Sequence, residues 1–235
     1  MRRPASLAAS STYVVLRAGW HLFWALAFTL SLVYQVEVAR LTPIQLVLVG
    51  TVLEAACFLG EVPTGIVSDL YSRKLSVVVG LPIIGLGIMV VGLFPSFWPI
   101  LIAQVIWGLG YTFVSGSDDA WVTDEVGEDN VQPVFTRGHQ WGLAMNIVGI
   151  LLAGGMAYLF SNLRTPIIAG GAGFVGLAVW AVFAMREVNF APTPSGDRDT
   201  WGQMVQIAKT GLRAARKPGV VRAFLTDRPA RRPDQ

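Results

Sequence analysis

Apolar positions in this chain fall into long unbroken blocks rather than into short periodic runs. Six blocks are long enough to cross a bilayer, which takes about 20 helical residues. They cover residues 13–34, 43–67, 75–94, 98–117, 135–160 and 166–185. The blocks are too long for strands and do not alternate with a period of two, so the pattern predicts six membrane-spanning helices.

Polarity divides the chain into three parts. Residues 1–186 form the predicted six-span bundle, residues 187–218 form a polar linker, and residues 219–235 hold a short apolar run and a charged tail. In the linker, apolar residues recur at helical spacing opposite several bases: Trp201, Met204, Val205, Ala208 and Leu212. This spacing predicts an amphipathic helix on the cytoplasmic membrane surface. We interpret the last part as a seventh span that stops early.

Composition supports a bilayer protein. Of the 235 residues, 53% are hydrophobic and 14% are charged, whereas soluble domains carry about 25% charged residues. The net charge of +3 is too small to indicate a nucleic-acid partner. The chain has one cysteine, Cys57, no metal-ligand spacing and no phosphate-binding glycine loop. We therefore expect no enzyme activity, no metal and no cofactor.

The bases predict the orientation in the membrane. One side of the predicted bundle collects Arg2, Arg3, Arg73, Lys74 and Arg186 together with the basic tail. The other side holds Arg40 and Arg164. Because Lys and Arg concentrate on the cytoplasmic side, we expect a multi-pass protein of the cell (inner) membrane with both termini in the cytoplasm. The connection at 117–130 adds six acids and no base to that side.

Four ionisable residues lie inside predicted spans: Arg17, His21, Glu54 and Glu61. Such groups cost roughly 2.5–3.5 kcal/mol each on insertion scales and are kept mainly where they face a cavity or a partner. Counting from the span ends places Arg17 and Glu61 within about 3–5 Å in depth, which predicts an ion pair. Glu54 lacks a base at its level, so it is the preferred proton-coupling candidate, before Glu61 and His21. Hydrogen bonding within the bundle is the structural alternative for Glu54.

A weakly polar aromatic face is the candidate substrate surface. Gln104, Trp107 and Tyr111 share one face of the fourth span, and Gln140 and Asn146 lie on the fifth. Such a face suits amphipathic organic molecules. Ordinary helix packing is the alternative.

The segment between the second and third spans carries a recognisable motif. Gly65, Asp69, Arg73 and Lys74 match a glycine, acid and paired-base pattern, while Leu70 replaces a base and Ser72 a glycine. The motif resembles the signature of the major facilitator superfamily. Residues 107–127 are similar to its drug-efflux branch, the tetracycline- and macrolide-type exporters.

The resemblance implies a fold and a role for charged residues. The expected fold is all-α, a six-helix transmembrane bundle that forms half of a major facilitator fold with a 3+3 repeat. The expected role is a charge network that latches the cytoplasmic gate. It would involve Asp69, Arg73 and Lys74, together with Asp118, Asp124 or Arg137.

The resemblance also implies transport, with proton-coupled efflux of amphipathic small molecules by alternating access as the expected activity. The expected partners are the lipid bilayer, a small organic substrate and protons. Since only one half of the fold is present, we interpret the chain as truncated or frameshifted, and a second copy is a possible replacement for the other half. The alternative is a membrane remnant or partner subunit without transport activity.

Overall fold

The structure is a computed structural model that describes residues 4–190. The predicted amphipathic helix and the aborted seventh span lie outside the described residues. The described part contains eight α-helices and no strand. They are α1 (Pro4–Phe28), α2 (Ser31–Glu37), α3 (Pro43–Leu70), α4 (Arg73–Leu93), α5 (Phe97–Val114), α6 (Ser117–Val126), α7 (Glu128–Phe160) and α8 (Arg164–Ala184).

The eight helices form six spans, which confirms the predicted all-α six-helix membrane fold. Spans one and four are each built from two helices, α1 with α2 and α5 with α6. Spans two, three, five and six are α3, α4, α7 and α8, and all six are long and apolar enough to cross a membrane. Gly116, with a φ of 78°, makes the bend between α5 and α6, a conformation that glycine adopts without steric cost.

The connection between the fourth and fifth spans is more helical than its polarity suggests. Residues of the acidic segment 117–130 form α6 and the first turn of α7. Glu128 and Asp129 lie in that first turn, where carboxylates interact favourably with the helix dipole. Helix α7 therefore begins seven residues before the apolar block that predicted it.

The helix contacts show the 3+3 repeat. Span one packs on spans five and six, span four packs on spans two and three, and spans three and six pack on each other. If span one is exchanged with span four, span two with span five and span three with span six, the same set of contacts results. The two three-helix units thus make equivalent sets of contacts, as the expected 3+3 repeat requires.

Spans three and six approach each other through glycine. A Cβ added to Gly85 of α4 would lie 2.5 Å from the carbonyl oxygen of Gly171 in α8, and a Cβ on Gly171 would lie 2.7 Å from the oxygen of Gly85. Small residues allow this separation between helices in lipid, where close packing replaces the hydrophobic effect. The Gly85–Gly171 crossing therefore sets the distance between the two repeats.

The connections between the helices lie at two opposite ends of the bundle. We call the end that holds the connection from α3 to α4, helix α6 and the residues after α8 the motif end. The opposite end holds the connections near Arg40, Pro95 and Ser161. Here the Tyr34 hydroxyl donates a 2.7 Å hydrogen bond to the Val91 carbonyl and joins spans one and three.

Candidate functional site

Helix α6 organises the charged residues of the motif end. It lies beside α1 and the start of α4, and its acidic side chains bind residues of both. We define the motif-end cluster as the six side chains that make these contacts: Tyr13, Arg17, Arg73, Asp118, Asp119 and Asp124.

The motif residue Arg73 pairs with an acid of α6. Its Nη1 lies 2.7 Å from Asp124 Oδ2 and also donates a 2.8 Å hydrogen bond to the Ala120 carbonyl. Arg73 is the first residue of α4. The pair therefore joins the beginning of span three to the end of span four.

Arg17 does not form the predicted ion pair with Glu61. Its Nη1 lies 3.1 Å from Asp118 Oδ2, while Glu61 is exposed and has no ion pair within residues 4–190. One turn before Arg17, the Tyr13 hydroxyl donates a 2.6 Å hydrogen bond to Asp119 Oδ1. The prediction considered depth alone, whereas span one packs on spans five and six and span two packs on span four.

The buried partner of this pair is the carboxylate. The Asp118 side chain is 5% exposed and the Arg17 side chain is 29% exposed. An unpaired buried charge loses its hydration without compensation. Loss of Arg17 would therefore leave a buried carboxylate without a partner, whereas loss of Asp118 would leave a guanidinium that water can reach.

The start of α4 is also held by the chain that follows span six. Ser72 caps α4, because its Oγ accepts a 2.9 Å hydrogen bond from the Leu75 backbone N–H. Glu187 accepts hydrogen bonds from the Ser72 hydroxyl and, at 3.0 Å, from the Lys74 backbone N–H. A helix N-terminus favours both a hydroxyl cap and a carboxylate, which explains how a serine serves at a motif position where the family pattern has glycine.

A second acid binds the same stretch of chain from α6. Glu125 Oε1 accepts hydrogen bonds of 2.7 Å and 2.9 Å from the backbone N–H groups of Val188 and Asn189. The Trp121 indole N–H donates to the Arg186 carbonyl at 3.1 Å. Residues 186–189, which we call the exit segment, are therefore bound to both α6 and the start of α4.

The other predicted gate residues make fewer contacts. Lys74 Nζ donates a 2.9 Å hydrogen bond to the Val182 carbonyl. Asp69 and Arg137 are exposed and have no ion pair in the described part of the chain. A Cβ on Gly65 would meet no atom within 4 Å, so packing within residues 4–190 does not require glycine there.

Glu54 and Glu61 are exposed residues of α3 that flank the face in contact with α5. The face in contact with α5 carries Ala56, Gly60 and Thr64, which are buried, and the Thr64 hydroxyl donates a 3.0 Å hydrogen bond to the Thr112 carbonyl. The side chains of both glutamates are exposed and make no hydrogen bond or ion pair among the described residues. The structural alternative for Glu54, a hydrogen bond within the bundle, is thus not observed.

His21, the third proton-coupling candidate, is a residue of α1, and its ring packs against α7. Its ring contacts the backbone at Gly142, where an added Cβ would come within 2.5 Å of the His21 Cδ2. Its Nε2 is buried and has no hydrogen-bond partner in the described part of the molecule. His21 is one turn from Arg17 on the same helix, so it adjoins the motif-end cluster.

The predicted substrate residues separate into two groups. Gln104 and Trp107 are buried and bonded to each other, since the indole N–H donates a 2.9 Å hydrogen bond to Gln104 Oε1. Tyr111 lies one turn away, with its ring 6.5 Å from that of Trp24. Gln140 and Asn146 of α7 line neither this region nor the groove between spans one, five and six.

Sequence reasoning missed four residues that hold the motif end together: Tyr13, Asp119, Glu125 and Glu187. Their signal in the sequence is weak. Glu187 is an acid placed just after the last span, and Tyr13 is the first residue of the first predicted span. Asp119 and Glu125 belong to the acidic segment, whose helical structure was not predicted. Within residues 4–190, no group of three His, Cys, Asp or Glu side chains could hold a metal ion.

Comparison with known proteins places this architecture in a family. The chain is 27% identical over 174 residues to a Bacillus subtilis (strain 168) protein described as the uncharacterized MFS-type transporter YxaM, a match that covers 72% of this chain and 42% of that protein. It is 28% identical over 134 residues to an uncharacterized transporter of Buchnera aphidicola subsp. Schizaphis graminum (strain Sg), covering 55% of this chain and 31% of that protein. The chain thus spans less than half the length of these relatives.

The family match extends over nearly the whole chain. Residues 9–228 match the family described as Major Facilitator Superfamily. This range includes all but the first residues of span one, the other five spans, the Gly65–Lys74 motif and the motif-end cluster, so the sequence match and the repeated fold agree. The chain belongs to the Major Facilitator Superfamily.

Proposed function

We propose that this chain forms one half of a proton-coupled exporter that moves amphipathic small molecules across the cell membrane by alternating access. The observation that carries the proposal is the ion pair between Arg73 and Asp124, which joins the motif to α6. In transporters of this type, two bundles rock against each other around a central site. Ion pairs at one end of a bundle are suited to hold that end closed in one state.

The proposal assigns proton coupling to the exposed face of α3. Glu54 and Glu61 are seven residues apart and share that face, which has no partner within the described residues. A second bundle that covered the face would bury both carboxylates, and burial favours the protonated form. Glu54 is the preferred coupling residue, with Glu61 and His21 behind it.

A second copy of this chain is the proposed cover for that face. Helices α3 and α7 are the least buried spans, since only 17% and 11% of their most apolar stretches are buried inside the bundle. Gly65 leaves room for a close neighbour, since a Cβ there would meet nothing within 4 Å. Two copies would supply twelve spans, the number in two six-helix halves.

The orientation proposal places the motif end and both termini in the cytoplasm of a multi-pass inner-membrane protein. It is supported by the bases on the motif side, Arg73, Lys74 and Arg186. A cysteine introduced at the exposed Asp69 should react with a membrane-impermeant maleimide only after the cells are opened, in a Cys57→Ser background. Labelling in intact cells would contradict the orientation.

The transport proposal is tested by flux measurements on Glu54→Gln. We expect proteoliposomes that contain this chain to move a fluorescent amphipathic dye when a pH gradient is imposed. Since glutamine cannot exchange a proton, Glu54→Gln should lose most of the gradient-driven flux, about tenfold or more for a group that transfers protons. Glu37→Gln, an exposed acid at the end of α2, is the matched control and should retain the flux.

The same measurement separates the alternative function. If the chain inserts and folds but moves no dye, it is a non-transporting membrane protein or a partner subunit. If Glu54→Gln transports as well as the original chain at every pH, the coupling assignment is wrong while transport stands.

A further inference from the structure

A groove of about 400 Å³ runs along the outside of the bundle between spans one, five and six. Helix α1 forms its floor, and α7 and α8, which touch each other much less than each touches α1, form its two sides. Trp20 and Trp24 lie on another side of α1 and pack on aromatic rings of α5. The groove therefore opens sideways, towards the hydrocarbon of a membrane, and shares no lining residue with the region around Gln104.

Small residues shape the groove. A Cβ added to Gly19 would lie 2.9 Å from Leu177 Cδ1, and a Cβ on Gly173 would collide with the ring of Phe23. Each of these side chains thus packs directly on the backbone of the other helix. At Gly176, by contrast, an added Cβ would meet no atom within 4 Å. Helices α1 and α8 are therefore tightly packed beneath the groove, while the space over Gly176 is open.

The lining of the groove is apolar. None of the residues that line it is ionisable, and the only lining side chain with a hydrogen-bond donor is Trp180. A charged or strongly polar ligand would lose its hydration here without compensation. The lining therefore favours a hydrocarbon occupant.

The dimensions of the groove fit one acyl chain. It extends from Val15 to Phe23 on α1 and from Gly173 to Trp180 on α8, which is about 10–12 Å along each helix axis. A helix about 10 Å across would fill roughly 800 Å³ over that length, twice the volume of the groove. A single file of methylene groups is much thinner, so the size favours a lipid tail over a span of another protein.

Trp180 lies where the groove approaches the motif end. It precedes Ala184, the last residue of α8, by one turn, which places it about 6 Å from the end of the helix. Its ring is partly buried, and its indole N–H makes no hydrogen bond within residues 4–190. Tryptophan is enriched at this depth because its ring is apolar while its N–H can bond polar groups at the membrane boundary. The first such groups beyond the hydrocarbon are the ester carbonyls of the lipid tails.

We propose that this groove binds one acyl chain of a glycerophospholipid from the leaflet at the motif end, and that the Trp180 N–H donates a hydrogen bond to the ester carbonyl of that chain. The tail fills the space over Gly176, so it is held more firmly than the lipids around the rest of the bundle. All three spans belong to this chain, so occupancy of the groove does not depend on the proposed transport activity.

Photocrosslinking in nanodiscs tests the site. The probe is a diester phosphatidylcholine with a diazirine midway along one tail, present as a minor component of discs made from unlabelled phosphatidylcholine. After illumination, peptide mass spectrometry should find the label concentrated on residues 15–23 and 173–180. Gly176→Leu places a side chain in the open space and should lower the labelling of these two segments about tenfold, because the tail and the new side chain would overpack the groove.

Gly154→Leu in α7 is the matched control. An added Cβ there also meets nothing within 4 Å, but Gly154 does not line the groove. Labelling of the two segments should equal that of the original chain. If Gly176→Leu does not fold, Val15→Trp fills the groove from α1 and carries the same expectation.

A change of the surrounding lipid tests the role of Trp180. Diether phosphatidylcholine lacks the ester carbonyls, so it should compete less well with the diester probe. In discs made from it, labelling of the two segments should rise about fivefold, the weight of one ordinary hydrogen bond. Trp180→Phe keeps an aromatic ring but removes the N–H, so its labelling should be the same in both kinds of disc.

Three results would overturn the proposal. The first is label spread evenly over the exposed apolar faces of all spans, which would mean that the groove holds only freely exchanging boundary lipid. The second is unchanged labelling in both filling variants. The third is an equal response of the original chain and Trp180→Phe to the diether discs, which would exclude the assigned hydrogen bond.

Discussion

Arg17→Met is expected to destabilise the described bundle by about 3 kcal/mol, at the lower end of the cost of removing one partner from a buried ion pair. Methionine, like arginine, is unbranched and favours the helix, so the substitution preserves α1 but removes the guanidinium that lies 3.1 Å from Asp118. The carboxylate left behind is 5% exposed, so water cannot replace the lost partner. Chemical unfolding in detergent micelles, followed by circular dichroism, measures the change.

The reverse substitution should be milder. Asp118→Asn leaves Arg17, whose side chain is 29% exposed and can turn towards water, so we expect a loss of about 1 kcal/mol. The double variant should recover most of the loss seen with Arg17→Met, because no buried charge remains. Arg137→Met is the control, since Arg137 is exposed and has no ion pair among the described residues. A loss from Arg17→Met that persists in the double variant would show that Asp118 is not its cause.

Gly85→Ala is expected to push the two three-helix units apart at their contact and so to destabilise the bundle. The added methyl group would lie 2.5 Å from the Gly171 carbonyl oxygen, and a backbone atom in a packed helix moves only if α8 moves with it. Overpacking of this kind costs about 1–3 kcal/mol, and we expect a value near the top of that range. The midpoint of unfolding in the same micelles should fall accordingly.

A matched glycine on another span provides the control. Gly154 lies inside α7, and a Cβ there would meet nothing within 4 Å. Gly154→Ala should therefore leave stability unchanged or raise it by up to about 1 kcal/mol, because alanine favours the helix over glycine. If both variants were equally stable, the Gly85–Gly171 crossing would not set the helix separation.

The number of spans could be predicted from the sequence because the bilayer fixes how many apolar residues a helix needs to cross it. The lateral order of the spans could not. Counting along the spans predicted similar depths for Arg17 and Glu61. In the structure, span four lies beside both spans one and two, and Arg17 meets Asp118 of α6 instead. Depth is a one-dimensional measure, whereas an ion pair needs neighbours in the membrane plane.

The same limit applies to the acidic segment. In the structure, four of its six acids, Asp118, Asp119, Asp124 and Glu125, accept hydrogen bonds from side chains or backbone of other segments. Helical spacing placed Gln104 and Trp107 on one face correctly, and the hydrogen bond between them follows from that spacing. Which spans pack around that face could not be predicted, because this depends on contacts between distant segments.

The exit segment has a mechanical consequence. Three of its residues, Glu187, Val188 and Asn189, are hydrogen-bonded to the start of α4 or to Glu125. Tension on the chain beyond Phe190 is therefore carried first into α6 and the first turn of span three, and only afterwards into α8. Whatever pulls on the downstream chain pulls on the same two helices that Arg73 and Asp124 join.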